Sequence, residues 1–417
     1  MINSNYLNST TLLHGVYRSL LNTGRTYAAF RDEQLSPLVE ALREHGEILD
    51  PMSGYGSLMR CSSRSDHALR SYNIECNPPA YFWQLLVHPE HSTKVEDLAK
   101  IVLSAKRRWP RVRSNVGMSE SWFPVKSLVL LEKLWVLCLD ATATVFSRPH
   151  QMSMAFLLPF VGRLGSFVQG NVVTQIKPGG ICVYSGWKED FQKYIAALRG
   201  YLSETTRLCK QKKHSVILAD ARTWRARRKQ FSAMITSPPY PNGRDYSKMF
   251  ALENAFIEWM VSRRHIDAVA LKPRLIGCST VSEKGGFKKR SPEDIKSFPA
   301  REFLTFLQNY DKSKRAVEDN RVYYIPYYSN YFYDLEKAYE NIAACLSSTF
   351  EGYLVAVNNT ARKRIIPVAE TVVEIWHNLG FNARIENTEE LSHVGGMNPR
   401  VKGISSRHME YTIKVCR

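Results

Sequence analysis

A short apolar run, Glu47-Ile48-Leu49-Asp50, feeds directly into "PMSGYGS", and this junction constrains the fold more than any other part of the chain. Gly54 and Gly56 stand where a strand must turn back into a helix. Only glycine adopts positive φ there freely and lets a ligand come close to the backbone. A second strand with a helix behind it follows in "SYNIECNPPAYFWQLL". Strand, glycine turn, helix and strand in succession begin a doubly wound α/β sheet.

The rhythm breaks and resumes twice. The opening segment reads as helical to about residue 45, with Ser36 as a candidate cap and Gly46 as the stop. Residues 90 to about 205 read as a largely helical stretch holding the basic cluster "KRRWPRVR", Lys106 to Arg113. Strands return in "HSVILADA" and "SAMITSPPY", with a helix from near Tyr246. A basic, turn-rich segment then spans 262–328 around "EKGGFKKRSPEDIK". The last block holds helix "YFYDLEKAYENIAACL", strand "GYLVAVNN", helix "VAETVVEIWHNLGF" and strands "NARIEN" and "HMEYTIKVC". One sheet domain, made of 1–90, 206–261 and 329–417 with insertions at 91–205 and 262–328, accounts for the chain.

Charge points to a polyanionic partner. Lys and Arg total 57 against 39 Asp and Glu, a formal +18. Cations that neutralise phosphates release counterions, so such an excess suits nucleic acid. The eight cysteines include no C-x-x-C pair and no zinc-finger spacing, so a reduced, cytoplasmic protein without a metal is expected. The N-terminus lacks the pattern of a secretory signal. The most apolar run, Ser127 to Phe146, is broken by Glu132, Lys133 and Asp140 and reads as a buried helix, not a membrane span.

The residues that could carry chemistry lie at strand ends. Glu75 ends the second strand about twenty residues after the glycine turn, where a carboxylate can bond two ribose hydroxyls. Asp220 ends "VILAD" and can accept from an adenine amino group, or cap the segment after it. "TSPPY", Thr236 to Tyr240, is the most specific string. The amino nitrogen of cytosine or adenine is a weak nucleophile, because its lone pair is delocalised into the ring. Two acceptors aimed at its hydrogens favour a pyramidal nitrogen that can attack a methyl sulfonium in line. The Ser237 hydroxyl and the Pro238 carbonyl suit that task, and Tyr240 offers a face on which a flipped-out base can stack.

These residues resemble the amino-methyltransferase family of DNA. "DPMSGYGS" is similar to its first motif, with Met52 and Ser57 departing from the usual D-P-F-x-G-x-G-T. "IECNP" resembles the second motif, "LADAR" the third, and "TSPPYPNGRDYSKMFALENAFIEW" the catalytic motif with its helix. The resemblance covers about half the chain. It implies a Rossmann-like methyltransferase sheet, seven-stranded and mostly parallel, with helical and basic insertions. It implies S-adenosyl-L-methionine held by Asp50, Pro51, Gly54, Gly56, Glu75 and Asp220, with Ser237, Pro238, Pro239 and Tyr240 handling the base. "LSPLVEAL", Leu35 to Leu42, resembles the helix that flanks the first motif.

Serine before Pro-Pro-Tyr favours the N4 amino group of cytosine over N6 of adenine, where Asp or Asn is commoner. No Pro-Cys dipeptide supplies the thiolate of a C5-cytosine enzyme. The resemblance further implies double-stranded DNA as partner, a restriction–modification setting with a cognate endonuclease, and a prokaryotic cytoplasm. The alternatives are transfer to adenine or RNA, and a non-catalytic DNA-binding subunit. The cofactor motif precedes the catalytic one, and the long insertion separates the second and third motifs. DNA reading is therefore expected from an insertion, first from 262–328 through Arg263, Arg264, Lys284, Lys288, Lys289 and Arg290, and second from 106–113.

Overall fold

A computed structural model describes residues 32–64, 69–86, 88, 136, 214–226, 230–241, 257, 275–277, 290–310, 313–391 and 408–417. The chain divides into two compact units. One holds Met1–Ala29, Pro78–Lys212 and Lys248–Lys272; the other holds Phe30–Asn77, Lys213–Ser247 and Pro273–Arg417. Of the first unit the described part is chiefly helix Pro78–Leu86, whose Phe82 and Trp83 are buried.

The second unit is α/β. Its strands are β1 (Glu47–Asp50), β2 (Arg70–Glu75), β3 (Ser215–Leu218), β4 (Phe231–Thr236) and β5 (Leu346–Asn358). A two-stranded ribbon, β6 (Thr360–Ala361) with β7 (Arg364–Ile365), precedes β8 (Asn382–Leu391) and β9 (His408–Cys416). The seven-stranded sheet runs β3-β2-β1-β4-β5-β9-β8. Its first five strands are parallel, and β9 lies antiparallel to both β5 and β8.

Neighbouring residues of the central strands face opposite ways, so two cores form. Ile48, Ala233, Ile235, Tyr353 and Val355 pack with Leu35, Val39 and Leu42 of helix α1 (Asp32–Ala41) and its sequel, and with Leu58 and Cys61 of α2 (Ser57–Arg64). Leu49, Met234, Leu354, Ala356, Ile413 and Val415 face the other way. They meet α4 (Phe298–Gln308), α6 (Ile325–Ala343) and α7 (Val368–Asn378), the helix Pro78–Leu86 being α3 and Lys314–Asp319 being α5. Helices thus cover both faces, which is why the parallel strands read as continuous apolar runs.

Three expectations need correction. Ser36 lies inside α1, because the apolar stripe already begins at Leu35; Gly46, at φ +70°, does end the following turn. The segment 262–328 is not one insertion. Ala300, Phe303, Leu304 and Leu307 bury one side of α4 in the main core. Its first turn is tied down by Glu336 of α6, which accepts from Ser297 N (2.8 Å), and Glu374 of α7, which accepts from Phe298 N (2.7 Å). Pro78–Lys212 and Lys248–Lys272 fall in the other compact unit. Finally, α6 starts at Ile325, six residues before the expected Tyr331. Pro326 sits in its first turn, where a missing N–H leaves no helical bond unmade. A single π-helical turn, Asn320–Tyr324, leads into it. The cluster 106–113 and the apolar run 127–146 lie outside the described residues, apart from Val136.

Among the described residues no helix is long and apolar enough to cross a membrane. No group of His, Cys, Asp and Glu among them could hold a metal ion. Cys61, Cys76, Cys345 and Cys416 are free thiols.

Candidate active site

The chain runs outward from β1 to β2 and β3, then returns to β4 on the other side of β1. Between β1 and β4 the winding reverses, and the crevice beyond the carboxyl ends of the strands at such a point is where open α/β sheets bind ligands. Asp50 ends β1, Glu75 ends β2, Asp220 follows β3 by two residues, and Ser237 directly follows β4. The parallel register therefore brings the four expected strand-end residues to one edge.

The glycine turn is stitched to the end of β2. Ser53 donates to the Ile74 carbonyl through its N–H and its hydroxyl, both at 3.0 Å. Gly54 N donates to Glu75 Oε2 and Asn77 N to Glu75 Oε1, each at 2.7 Å. Gly54 and Gly56 have φ of +52° and +78°, and a Cβ on Gly54 would meet no atom within 4 Å. The loop is thus held in a conformation that suits glycine, with open space over Gly54. Pro51 is buried at its start.

Asp50 is only 2% exposed, and its Oδ1 accepts from Thr236 Oγ1 (2.9 Å) and Met52 N (3.3 Å). One carboxylate oxygen thereby joins the glycine turn to the last residue of β4. Burial pushes the Asp50 carboxyl up to about 7, against those two hydrogen bonds. Burial likewise pushes Glu75 up to about 7, the bonds from Asn77 and Gly54 opposing it and the neighbouring Asp50 charge adding to it. Two buried carboxyl groups at neighbouring strand ends make a place where a nearby positive charge is favoured over a negative one.

A carboxyl whose pKa is raised on folding contributes its full share to stability below its unfolded value and loses it as the pH climbs through the folded one. Asp50→Asn keeps the oxygen that accepts both bonds and removes the titration. This variant should gain stability relative to the native protein as the pH rises from about 4 to about 7. The gain should be on the order of a few kcal/mol at about 1.4 kcal/mol per unit. Urea unfolding at a series of pH values measures it; parallel curves for the two proteins would refute the linkage.

Asp220 is held by its own neighbour. Its Oδ1 accepts from Arg222 N (2.9 Å), and Arg222 Nη2 donates to its Oδ2 (2.6 Å). The Arg222 Nη1 reaches Asp334 Oδ2 at 2.6 Å, bridging to α6. Backbone bonds from Thr223 and Trp224 to the Asp220 carbonyl close a turn here. The carboxylate therefore stands at the expected strand end but shares its acceptors with a local turn and an arginine.

In the Thr236–Tyr240 string, Ser237 Oγ lies 3.0 Å from the Val355 carbonyl and 3.1 Å from the Tyr240 hydroxyl. A carbonyl can only accept, so the single serine proton goes to Val355 and Tyr240 donates to Ser237. The serine oxygen keeps acceptor capacity and a fixed orientation. Pro239's carbonyl accepts from Tyr331 OH of α6 at 2.9 Å. No hydrogen bond reaches the buried Pro238 carbonyl among the described residues. The two prolines thus differ: one carbonyl fastens the loop, the other keeps its lone pairs.

Thr236, Val355, Tyr331 and Arg222 make the hydrogen bonds that hold these strand ends and loops together, and no sequence signal marked them individually. Of the six residues expected to touch DNA, Arg290 lies with its guanidinium 3.7 Å above the Tyr333 ring. Arg263, Arg264, Lys284, Lys288 and Lys289 lie outside the described residues.

No family model matches this sequence, and a comparison with curated proteins gives no match.

Proposed function

We propose that this chain transfers a methyl group from S-adenosyl-L-methionine to the N4 amino group of cytosine in double-stranded DNA. The observation that carries the reading is the placement of Ser237-Pro238-Pro239-Tyr240 at the switch point beside Asp50, with the Thr236–Asp50 bond joining the two loops. The order 3-2-1-4-5 of the parallel strands is that of a doubly wound dinucleotide-binding sheet, which supports a Rossmann-like methyltransferase reading.

When bound, the cofactor supplies an electrophilic methyl group on a sulfonium centre. The glycine turn and Asp50 hold its methionine end, and the burial of Asp50 and Glu75 favours a positive charge there. Glu75 keeps a second lone pair on each oxygen for the ribose hydroxyls. Asp220 faces the adenine end. The Ser237 and Pro238 oxygens accept the hydrogens of the target amino group and turn its lone pair toward the methyl. Tyr240 stacks on the extruded base.

Serine is matched to its surroundings. A carboxylate at position 237 would set a second acceptor against the Val355 carbonyl, without a proton to share. This favours the serine-type site, and with it cytosine, over the aspartate-type site of N6-adenine enzymes. The +18 charge accords with a DNA partner, and a cognate restriction endonuclease in a prokaryotic cytoplasm belongs to the same reading.

Incubation with DNA and labelled cofactor, then nucleoside mass spectrometry, should yield N4-methylcytosine. N6-methyladenine, or methylation of RNA alone, would overturn the assigned substrate. Cofactor binding without any transfer would mark a non-catalytic subunit.

A further inference from the structure

The ribbon β6–β7 leaves β5 at the same sheet edge as the Ser237 loop, because β4 and β5 are parallel. Its pairs Thr360↔Ile365 and Ala361↔Arg364 enclose a two-residue turn, Arg362-Lys363. Both have positive φ, +50° and +66°, the only non-glycine residues with this conformation among those described. A turn of this kind ordinarily takes Asn-Gly. Two long cations occupy it instead, in a region that side chains bearing a Cβ rarely adopt.

The strain is supported by a buttress. Arg362 donates from Nε to Asn320 Oδ1 (2.9 Å), reaches the Ala316 carbonyl and Asp319 at 3.3 Å, and lies 4.7 Å from the Tyr324 ring centre. The ribbon is thereby fixed to α5 and the π-helical turn. Arg362 is spent on Asp319, and exposed Arg321 on Glu318. Four exposed cations remain around them, Lys314, Arg315, Lys363 and Arg364, and none has an acidic partner among the described residues. The Arg364 guanidinium lies 4.8 Å from the Phe306 ring centre, a cation–π contact that still leaves N–H donors for an anionic acceptor.

We infer that the strained ribbon Thr360–Ile365, with the start of α5, grips the phosphate backbone of the DNA on which the adjacent site acts. The inference rests on the function proposed above and adds a contact outside both insertions. Uncompensated cations at the rim of a base-handling site suit phosphates, which carry no sequence information. The partner is DNA rather than an acidic protein because the same edge presents the base-handling loop.

The double variant Lys363→Asn with Arg364→Gln tests it in the full chain, since Asn tolerates the left-handed turn while losing the charge. Binding of fluorescent duplexes would be followed against salt by anisotropy. Loss of two phosphate contacts should reduce the slope of log affinity against log salt by about 1.8. The gap between the two proteins should then narrow about 12-fold between about 50 and about 200 mM salt. The loss should be alike for unrelated duplexes, with cofactor affinity and kcat at saturating DNA unchanged. Arg364→Gln alone should reduce the slope by about 0.9, which keeps the test decisive if the double variant unfolds. An unchanged slope, or a loss confined to one sequence, overturns the ribbon's role while leaving the chemistry intact. A native protein that binds RNA but not DNA, or neither, overturns the proposed function with it.

Discussion

Replacing Tyr240 by alanine is expected to lower methyl transfer to DNA by roughly 5- to 150-fold in single-turnover reactions. Base stacking on an aromatic side chain contributes about 1–3 kcal/mol, and each 1.4 kcal/mol is tenfold. Tyr240→Phe retains the face and loses only the hydroxyl that bonds Ser237 at 3.1 Å. It should therefore stay near native activity. Cofactor affinity should be unaltered in both, because the glycine turn and Glu75 are anchored to each other and not to the tyrosine. An alanine variant with native turnover would remove Tyr240 from the base-handling role. Ser237→Ala should slow transfer as well, by removing an acceptor and freeing Tyr240 from its partner.

Trp376→Ala should cost about 3–5 kcal/mol of unfolding free energy. The indole is 0% exposed and lies 5.1–5.3 Å, centre to centre, from the Phe381 and Tyr339 rings. Phe350 stacks on it at 6.2 Å. Trp376→Phe should cost much less, since the buried Nε1–H has no hydrogen-bond partner among the described residues and its removal offsets part of the lost packing. Urea denaturation measures both variants. A loss below about 1 kcal/mol for the alanine change would mean the cluster is not part of the cooperative core.

Much of the sheet was legible because its strands are short, apolar and bounded by glycine or proline. β1, β2, β3 and β4 fall where "EILD", "SYNIE", "SVIL" and "SAMI" place them, and α7 follows its 3.6-residue stripe. The positions of Asp50, Glu75 and Asp220 at strand ends were equally visible, since they follow from local order alone. What escaped was set by contacts between distant residues. Thr236 meets Asp50 across 186 residues, and Tyr331 meets the Pro239 carbonyl across 92. No periodicity records such pairs. The helix Phe298–Gln308 was missed for a related reason: its neighbours in sequence are basic and turn-rich, and only the acidic side chains of α6 and α7 reveal what it packs on. Asp220 illustrates a third case. Both of its expected uses were legible, and the structure supplies the local turn without removing the carboxylate from the edge.

The position of β9 bears on how the domain assembles. β8 precedes it in the chain yet pairs only with β9, which alone links it to β5. Until β9 inserts, β8 has no place in the sheet and the long edge of β5 stands unpaired. Closure must wait for partners such as Glu351 and Cys416 to meet across more than sixty residues of intervening chain. Such non-local pairing slows folding and leaves an open strand edge during the delay. The hazard for this protein therefore lies less in its finished fold than in the interval before that strand arrives, when one unfinished copy can pair with another.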